Sequence, residues 1–139
     1  LMFQLNYGYT HATFKKYEYE RKGINYNGNY LPLVPKHTLA LGVDYTIFHP
    51  CSLIERLTFS ANFTQTGLIY WKEDNRKKQD SYGLLNGKIS ATKGIVTLAL
   101  WAKNITNTHY NSYYFESGGN GLAQAVRPFT LGGNIQIQF

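Results

Sequence analysis

Residues 127–139 read R-P-F-T-L-G-G-N-I-Q-I-Q-F. From Phe129 onward the odd positions are Phe129, Leu131, Gly133, Ile135, Ile137 and Phe139, and the even ones are Thr130, Gly132, Asn134, Gln136 and Gln138. Successive side chains of an extended chain point to opposite sides, so this alternation specifies a β-strand with one apolar and one polar face. The strand then finishes on an aromatic residue, Phe139.

The same period recurs upstream. Leu1 to Phe14 places Leu1, Phe3, Leu5, Tyr7 and Tyr9 on one face and Gln4, Asn6, Gly8 and Thr10 on the other. His37 to Phe48 sets Leu39, Leu41, Val43, Tyr45 and Ile47 against Thr38, Ala40, Gly42, Asp44 and Thr46. Arg56 to Tyr70, Ser81 to Ser90 (blurred by Leu84) and Ile95 to Asn104 complete an expectation of six strands and no helix. Breaks are expected at His49-Pro50-Cys51-Ser52 and at Ala91 to Gly94. Lys15 to Lys36, Trp71 to Asp80 and Ile105 to Val126 are long and polar. The connections therefore alternate long, short, long, short, long. That asymmetry belongs to outer-membrane barrels, whose periplasmic turns are short and whose extracellular loops are long.

Composition agrees with strands. Aromatic residues make up 16% of the chain and Tyr alone numbers 12, which favours extended structure. No stretch approaches the ~18 apolar residues of a membrane helix. The chain opens directly into a strand pattern with no leader-like segment, so either a signal has been removed or, as is expected here, the chain is a piece of a longer protein. Net charge is +6, with the basic residues gathered mainly in two loops, and the single Cys51 forms no internal disulfide.

Two architectures share this pattern. A soluble β-sandwich or small-barrel ligand-binding module would turn its apolar faces inward. A transmembrane barrel turns them outward to lipid and lines its lumen with the polar faces. The only strand charges, Asp44, Arg56, Lys88 and Lys103, all lie on polar faces that are otherwise filled with Thr, Ser, Asn, Gln and Gly. A solvated protein surface is about a quarter or more charged, so these faces suit an enclosed lumen better. Tyr45, Phe48 and Phe139 at one end, and Tyr70, Trp71 and Tyr82 at the other, read as two interfacial aromatic girdles. The expectation is an all-β, antiparallel up-and-down transmembrane β-barrel, of which this chain supplies about the last six strands.

Three pieces of sequence carry a family likeness: N-Y-L-P-L-V-P-K-H-T-L-A-L-G-V-D-Y from Asn29 to Tyr45, L-W-A-K-N-I-T-N-T-H-Y from Leu100 to Tyr110, and the final strand from Arg127. Together they resemble the C-terminal end of a TonB-dependent outer-membrane receptor. The resemblance implies a 22-stranded barrel with a plugged lumen, so residues 1–139 would be its C-terminal barrel segment, with plug and earlier strands elsewhere. It also implies a transport receptor in the bacterial outer membrane, with no catalysis. Such a receptor takes up a scarce nutrient (ferric siderophore, haem, cobalamin or glycan) with energy from the TonB protein acting through the plug. Ile135, Ile137 and Phe139 are then expected to act as the signal read by the barrel-assembly machinery, and the apolar faces to meet outer-membrane lipid.

Ligand contact is expected in the long loops. Trp71, Lys72 and Arg76, with Lys77 and Lys78, combine an aromatic ring with cations suited to an anionic chelate, although a solvated loop beside lipid headgroups has the same composition. Tyr113, Tyr114 and Phe115, with Tyr110, are suited to stacking on a ring or sugar, although interfacial and loop packing uses the same residues. His11, His37, His49 and His109 show no metal-ligand spacing, so neither metal nor cofactor is expected. Gly118-Gly119-Asn120-Gly121 lacks the Lys and strand-to-helix context of a phosphate loop. No nucleophile elbow or placed carboxylate pair points to an enzyme. The cations are not interleaved with strand aromatics, which argues against nucleic acid as a partner.

Overall fold

The computed structural model describes all 139 residues. In chain order the strands are β1 (Met2–Tyr9), β2 (Glu18–Tyr19), β3 (Ile24–Asn25), β4 (His37–Cys51), β5 (Ile54–Thr66), β6 (Ile69–Tyr70), β7 (Lys78–Gln79), β8 (Tyr82–Lys93), β9 (Val96–Lys103), β10 (Asn111–Ser117), β11 (Asn120–Ala125) and β12 (Thr130–Ile137), with one 3-10 turn at Glu20–Lys22. Six of them form one sheet in the order β1-β4-β5-β8-β9-β12, every neighbour antiparallel. This is the expected up-and-down meander. The sheet is open at β1 and β12. The remaining strands pair as β2-β3, β6-β7 and β10-β11, one small hairpin within each long connection. The alternation does not reveal them, because two are only two residues per strand.

Register brings like face to like face. Asp44 pairs with Ser60, Ser60 with Lys88, Lys88 with Trp101 and Trp101 with Gly132, a single polar row across five strands. One position along, Val43 pairs with Ala61, Ala61 with Gly87, Gly87 with Ala102 and Ala102 with Leu131. A slip of one residue would exchange the faces completely, so the two-residue period fixes the register. Leu84 pairs with Thr64 and thus lies on the polar face, which explains the blur around it.

Both expected breaks are shorter and begin only at their last residues, Ser52 and Gly94. Strand β4 runs on through His49 and Pro50 to Cys51 by a bulge: Phe48 pairs with Arg56 and Cys51 with Ile54, leaving two residues opposite Glu55. His49 takes φ +50° there, and a bulge is a place where Pro need not donate to the ladder. The tight turn is Ser52-Leu53. Likewise β8 continues to Lys93, and the turn is Gly94-Ile95, with Gly94 at φ +52°. Lys93 therefore falls on the apolar side of the register opposite Val96, an exception to the rule that this side carries no charge. Its Nζ reaches back 2.7 Å to the Ser52 carbonyl, the behaviour of a lysine at the end of a membrane strand.

There is no core of the soluble kind. Only Trp71, Ala99 and Asn104 are buried, and Phe59, Leu98 and Ile135 are 39%, 52% and 71% exposed. A sandwich or small closed barrel would bring those side chains together in a dry interior. Here a single layer leaves them unpacked, so the soluble alternative is corrected. An apolar face that runs across six strands with its large side chains exposed is not the surface of a soluble monomer. The outer girdle also needs correction. Tyr70, Trp71 and Tyr82 are half-buried or buried between loops, whereas Tyr7 and Tyr9, on the apolar face at that end, are 60% and 56% exposed.

Candidate ligand-contact site at the long-loop end

The three long connections emerge at the same end of the sheet and are tied to one another. Between the first and second, the Asn75 side chain pairs with the main chain of Tyr30: its Oδ1 accepts from the Tyr30 N–H at 2.7 Å and its Nδ2 donates to the Tyr30 carbonyl at 2.9 Å. Asn75 sits at φ +54°, a conformation that Asn tolerates better than other side-chain-bearing residues. The Tyr30 and Tyr70 rings stack beside it at 5.9 Å, and the Leu33 N–H donates to the Tyr70 carbonyl at 2.8 Å.

Between the second and third connections, Lys72 pairs with Glu116, and the Tyr114 hydroxyl donates to the other Glu116 oxygen at 2.9 Å. Hydrogen bonds from Lys72 and then Tyr114 hold the Glu116 carboxyl below its ordinary range. The bond to Glu116 raises Lys72 in turn, and the Tyr114 phenol rises for the same reason. Trp71 is buried with its ring 6.3 Å from that of Tyr114. Tyr82 and Tyr110 stack at 3.8 Å, and burial raises the Tyr110 phenol.

The third connection is anchored by Asn104, in the left-handed region at φ +50° and buried. Its Nδ2 donates to the carbonyls of Thr108 and Arg127 at 3.0 and 3.3 Å, and its Oδ1 accepts from the Thr108 N–H at 2.8 Å. Its own N–H donates to Asn86 Oδ1 at 3.0 Å. Asn107, at φ +51°, accepts from the Phe129 N–H at 3.1 Å through Oδ1. The K-N-I-T-N-T stretch thus closes the exit of β9 onto the entry of β12. Its signal in the sequence was two Asn residues three apart at a strand end, residues that tolerate left-handed backbone and bond locally.

Of the six residues singled out as ligand contacts, five therefore fall into two groups and Arg76 stands apart. Trp71, Lys72 and Tyr114 face one another between loops. Tyr113 and Phe115 alternate with Tyr114 along β10 and point the other way, 49% and 45% exposed with ring centroids 6.0 Å apart. Leu122, paired with Phe115, extends their surface. Arg76 is exposed and joins no ion pair, as is Lys77, while Lys78 is bound to Asp80 at 3.0 Å. Gly118 and Gly119, at φ +57° and +80°, form the turn of this hairpin. Ile135, Ile137 and Phe139, at the opposite end, lie exposed along and just beyond the edge strand β12.

On the polar face a hollow of about 290 Å³ draws residues from five strands, among them Gln4, Asp44, Asn62, Asn86, Lys88 and Lys103. Asp44 accepts from Ser60 Oγ at 2.5 Å. Trp101 lies flat across Gly132, where a Cβ would come within 2.7 Å of Cε2, and Lys103 Nζ stands 5.2 Å from its centroid. The hollow is lined mainly by neutral groups, with three charges, Asp44, Lys88 and Lys103.

Residues 1–105 match the family model described as "TonB dependent receptor-like, beta-barrel". Among solved structures, the ferric yersiniabactin uptake receptor FyuA from Yersinia pestis is similar over 82% of this chain, with TM-score 0.76 and 23% identity. The siderophore receptor PiuA from Acinetobacter baumannii is similar over 96%, with TM-score 0.70 and 20% identity. BauA, the ferric preacinetobactin receptor from the same organism, is similar over 82%, with TM-score 0.55 and 19% identity. At such identities the likeness is one of fold. The chain spans 18%, 18% and 16% of those three chains.

Proposed function

The chain belongs to the TonB-dependent receptor β-barrel family, and from that premise we propose that it is the last six strands of an outer-membrane receptor for energy-dependent uptake of a scarce nutrient. The observation that carries this reading is the single-layer meander, whose register separates an unpacked apolar face from a neutral polar one. In a bilayer the first face is solvated by acyl chains, and the second lines a passage. A Lys or Arg on the lipid face would cost roughly 2–4 kcal/mol at the midplane, and the one such cation, Lys93, sits at a strand end where its ammonium reaches the turn.

The cargo class we favour is a ferric siderophore, in keeping with the three structurally similar receptors. Tyr113, Phe115 and Arg76 contact the ligand: two exposed rings offer stacking surface, and a free guanidinium offers an anion partner. Trp71, Lys72 and Tyr114 position them by joining the second and third loops. The plug segment, outside these residues, couples to TonB. The barrel-assembly machinery engages β12 through Ile135, Ile137 and Phe139.

The test is uptake of radioiron on a panel of chelates by iron-starved cells that lack the complete receptor and are complemented in trans. The wild-type gene should restore uptake of one chelate class. A Tyr113→Ala/Phe115→Ala receptor, inserted at normal level, should require about tenfold more of that chelate, the equivalent of ~1.4 kcal/mol of stacking. Uptake of every chelate unchanged by the deletion would contradict the siderophore reading.

A further inference from the structure

At the long-loop end of the apolar face, where β1 meets β4, a cation stands among aromatic rings without an acid to pair it. Tyr7 and Tyr9 of β1 and His37 of β4 share the apolar side of the register. The Tyr7 hydroxyl lies 2.7 Å from His37 Nδ1, and the His37 ring packs 5.3 Å from that of Tyr9, which leaves Nε2 open. Lys36 is half-buried, with Nζ 5.9 Å from the centroids of both Tyr9 and Tyr30. It joins no ion pair, whereas Lys72 and Lys78 are each bound to a carboxylate. Beside it is a hollow of about 270 Å³ lined by Tyr30, Val34, Lys36, His37, Leu68 and Tyr70.

Lys36 lays its stem among these rings, and an ammonium held at aromatic faces with no carboxylate partner is free to take an anion. Lys36, the open nitrogen of His37 and the Tyr9 hydroxyl supply donors at one level of the wall. Directly below, an apolar strip continues through the pairs Tyr7–Leu39, Leu5–Leu41 and Phe3–Val43. Donors above an apolar strip match a ligand with an anionic, oxygen-rich head and acyl tails. A soluble anion would use the head site and leave the strip unused.

We propose that this corner binds the phosphate of a phosphorylated outer-leaflet lipid, its acyl chains lying along Tyr7, Leu39 and Leu5. The inference rests on the outer-membrane reading above. Recognition is by a cation held on aromatic rings at the level where headgroups meet hydrocarbon.

The experiment uses the complete receptor in phosphatidylcholine nanodiscs. Three probes are added: a bisphosphorylated glucosamine glycolipid, its dephosphorylated form, and inorganic phosphate. Lipid retention is read by native mass spectrometry for wild type, Lys36→Gln and Lys36→Arg. Expected is binding of the phosphorylated lipid about tenfold weaker in Lys36→Gln and within about threefold of wild type in Lys36→Arg. The dephosphorylated lipid should bind like the Lys36→Gln pair, and inorganic phosphate should fail to compete at equal concentration. Equal retention by Lys36→Gln, equal retention of the dephosphorylated lipid, or equal binding of inorganic phosphate would each overturn the proposal. A receptor that shows heat-modifiable barrel folding yet retains no lipid sinks this inference alone. One absent from the outer-membrane fraction sinks the outer-membrane reading with it.

Discussion

Replacing Asn104 by Ala should free the third long loop from the barrel wall. The side chain makes three hydrogen bonds to main-chain groups of Thr108 and Arg127, each worth about 1 kcal/mol net. The bond to Arg127, at 3.3 Å, is the weakest. Ala at φ +50° adds about 1 kcal/mol of backbone strain that Asn bears more easily. The sum is about 3–4 kcal/mol, or two to three orders of magnitude in the opening equilibrium of residues 104–129. Amide exchange in the complete receptor measures it at Ile105, Asn107 and Phe129, whose N–H groups bond to Leu85, Asn104 and Asn107. Asn104→Gly relieves the strain but not the lost bonds, so it should exchange about fivefold more slowly than Asn104→Ala, matching ~1 kcal/mol. Exchange in Asn104→Ala within threefold of wild type would refute the assignment of this residue as the anchor.

Other substitutions test separate contacts. Gly132→Ala places a Cβ 2.8 Å from Cη2 of Trp101 and should cost about 1–3 kcal/mol of barrel stability, read as a lower temperature for loss of heat-modifiable mobility. The double change Gly132→Ala/Trp101→Ala should recover most of it. Asn75→Ala removes both bonds to Tyr30 and should raise proteolytic nicking of the first two loops severalfold, with Asn75→Gly no better protected where the bonds matter more than the φ. The link between the second and third loops should depend on pH with a fixed sign. Glu116 is held below its ordinary 4.5, so its contribution is fully present above that value and is lost as the pH falls from there through the lowered one. Spin labels on the two loops should therefore separate on acidification. Glu116→Gln should give the separated state at neutral pH, and a distance unchanged through that range would reject the link.

Much of the architecture was legible because lipid and lumen impose a strict two-residue period. Phe129 to Phe139 is enough to define a two-faced strand, and the rhythm of connections gave the meander. Pro50 signals a stop in the sequence, yet a bulge accommodates it between Phe48 and Cys51, so strand β4 runs on to the turn. The small hairpins in the long connections were invisible, since pairs as short as Glu18–Tyr19 with Ile24–Asn25 carry no period. The site was legible only in composition. Sequence gathered Trp71, Tyr113, Tyr114 and Phe115 as one aromatic class, but the alternation along β10 sends Tyr114 toward Trp71 and its neighbours away. Asn104, the most connected polar residue of the loops, stands out in the sequence only within a family-like stretch, because its role depends on Thr108 and Arg127. Contacts between loops depend on the backbone path, which local pattern does not specify.

The most direct test of the account is accessibility along β5, with Cys51 replaced by Ser and single spin labels placed from Leu57 to Phe63 in the complete receptor in bilayers. Labels at Leu57, Phe59, Ala61 and Phe63 should collide with oxygen, which partitions into lipid, and those at Thr58, Ser60 and Asn62 with a water-soluble nickel chelate or with neither. The reverse alternation, or chelate access on both faces, would contradict it.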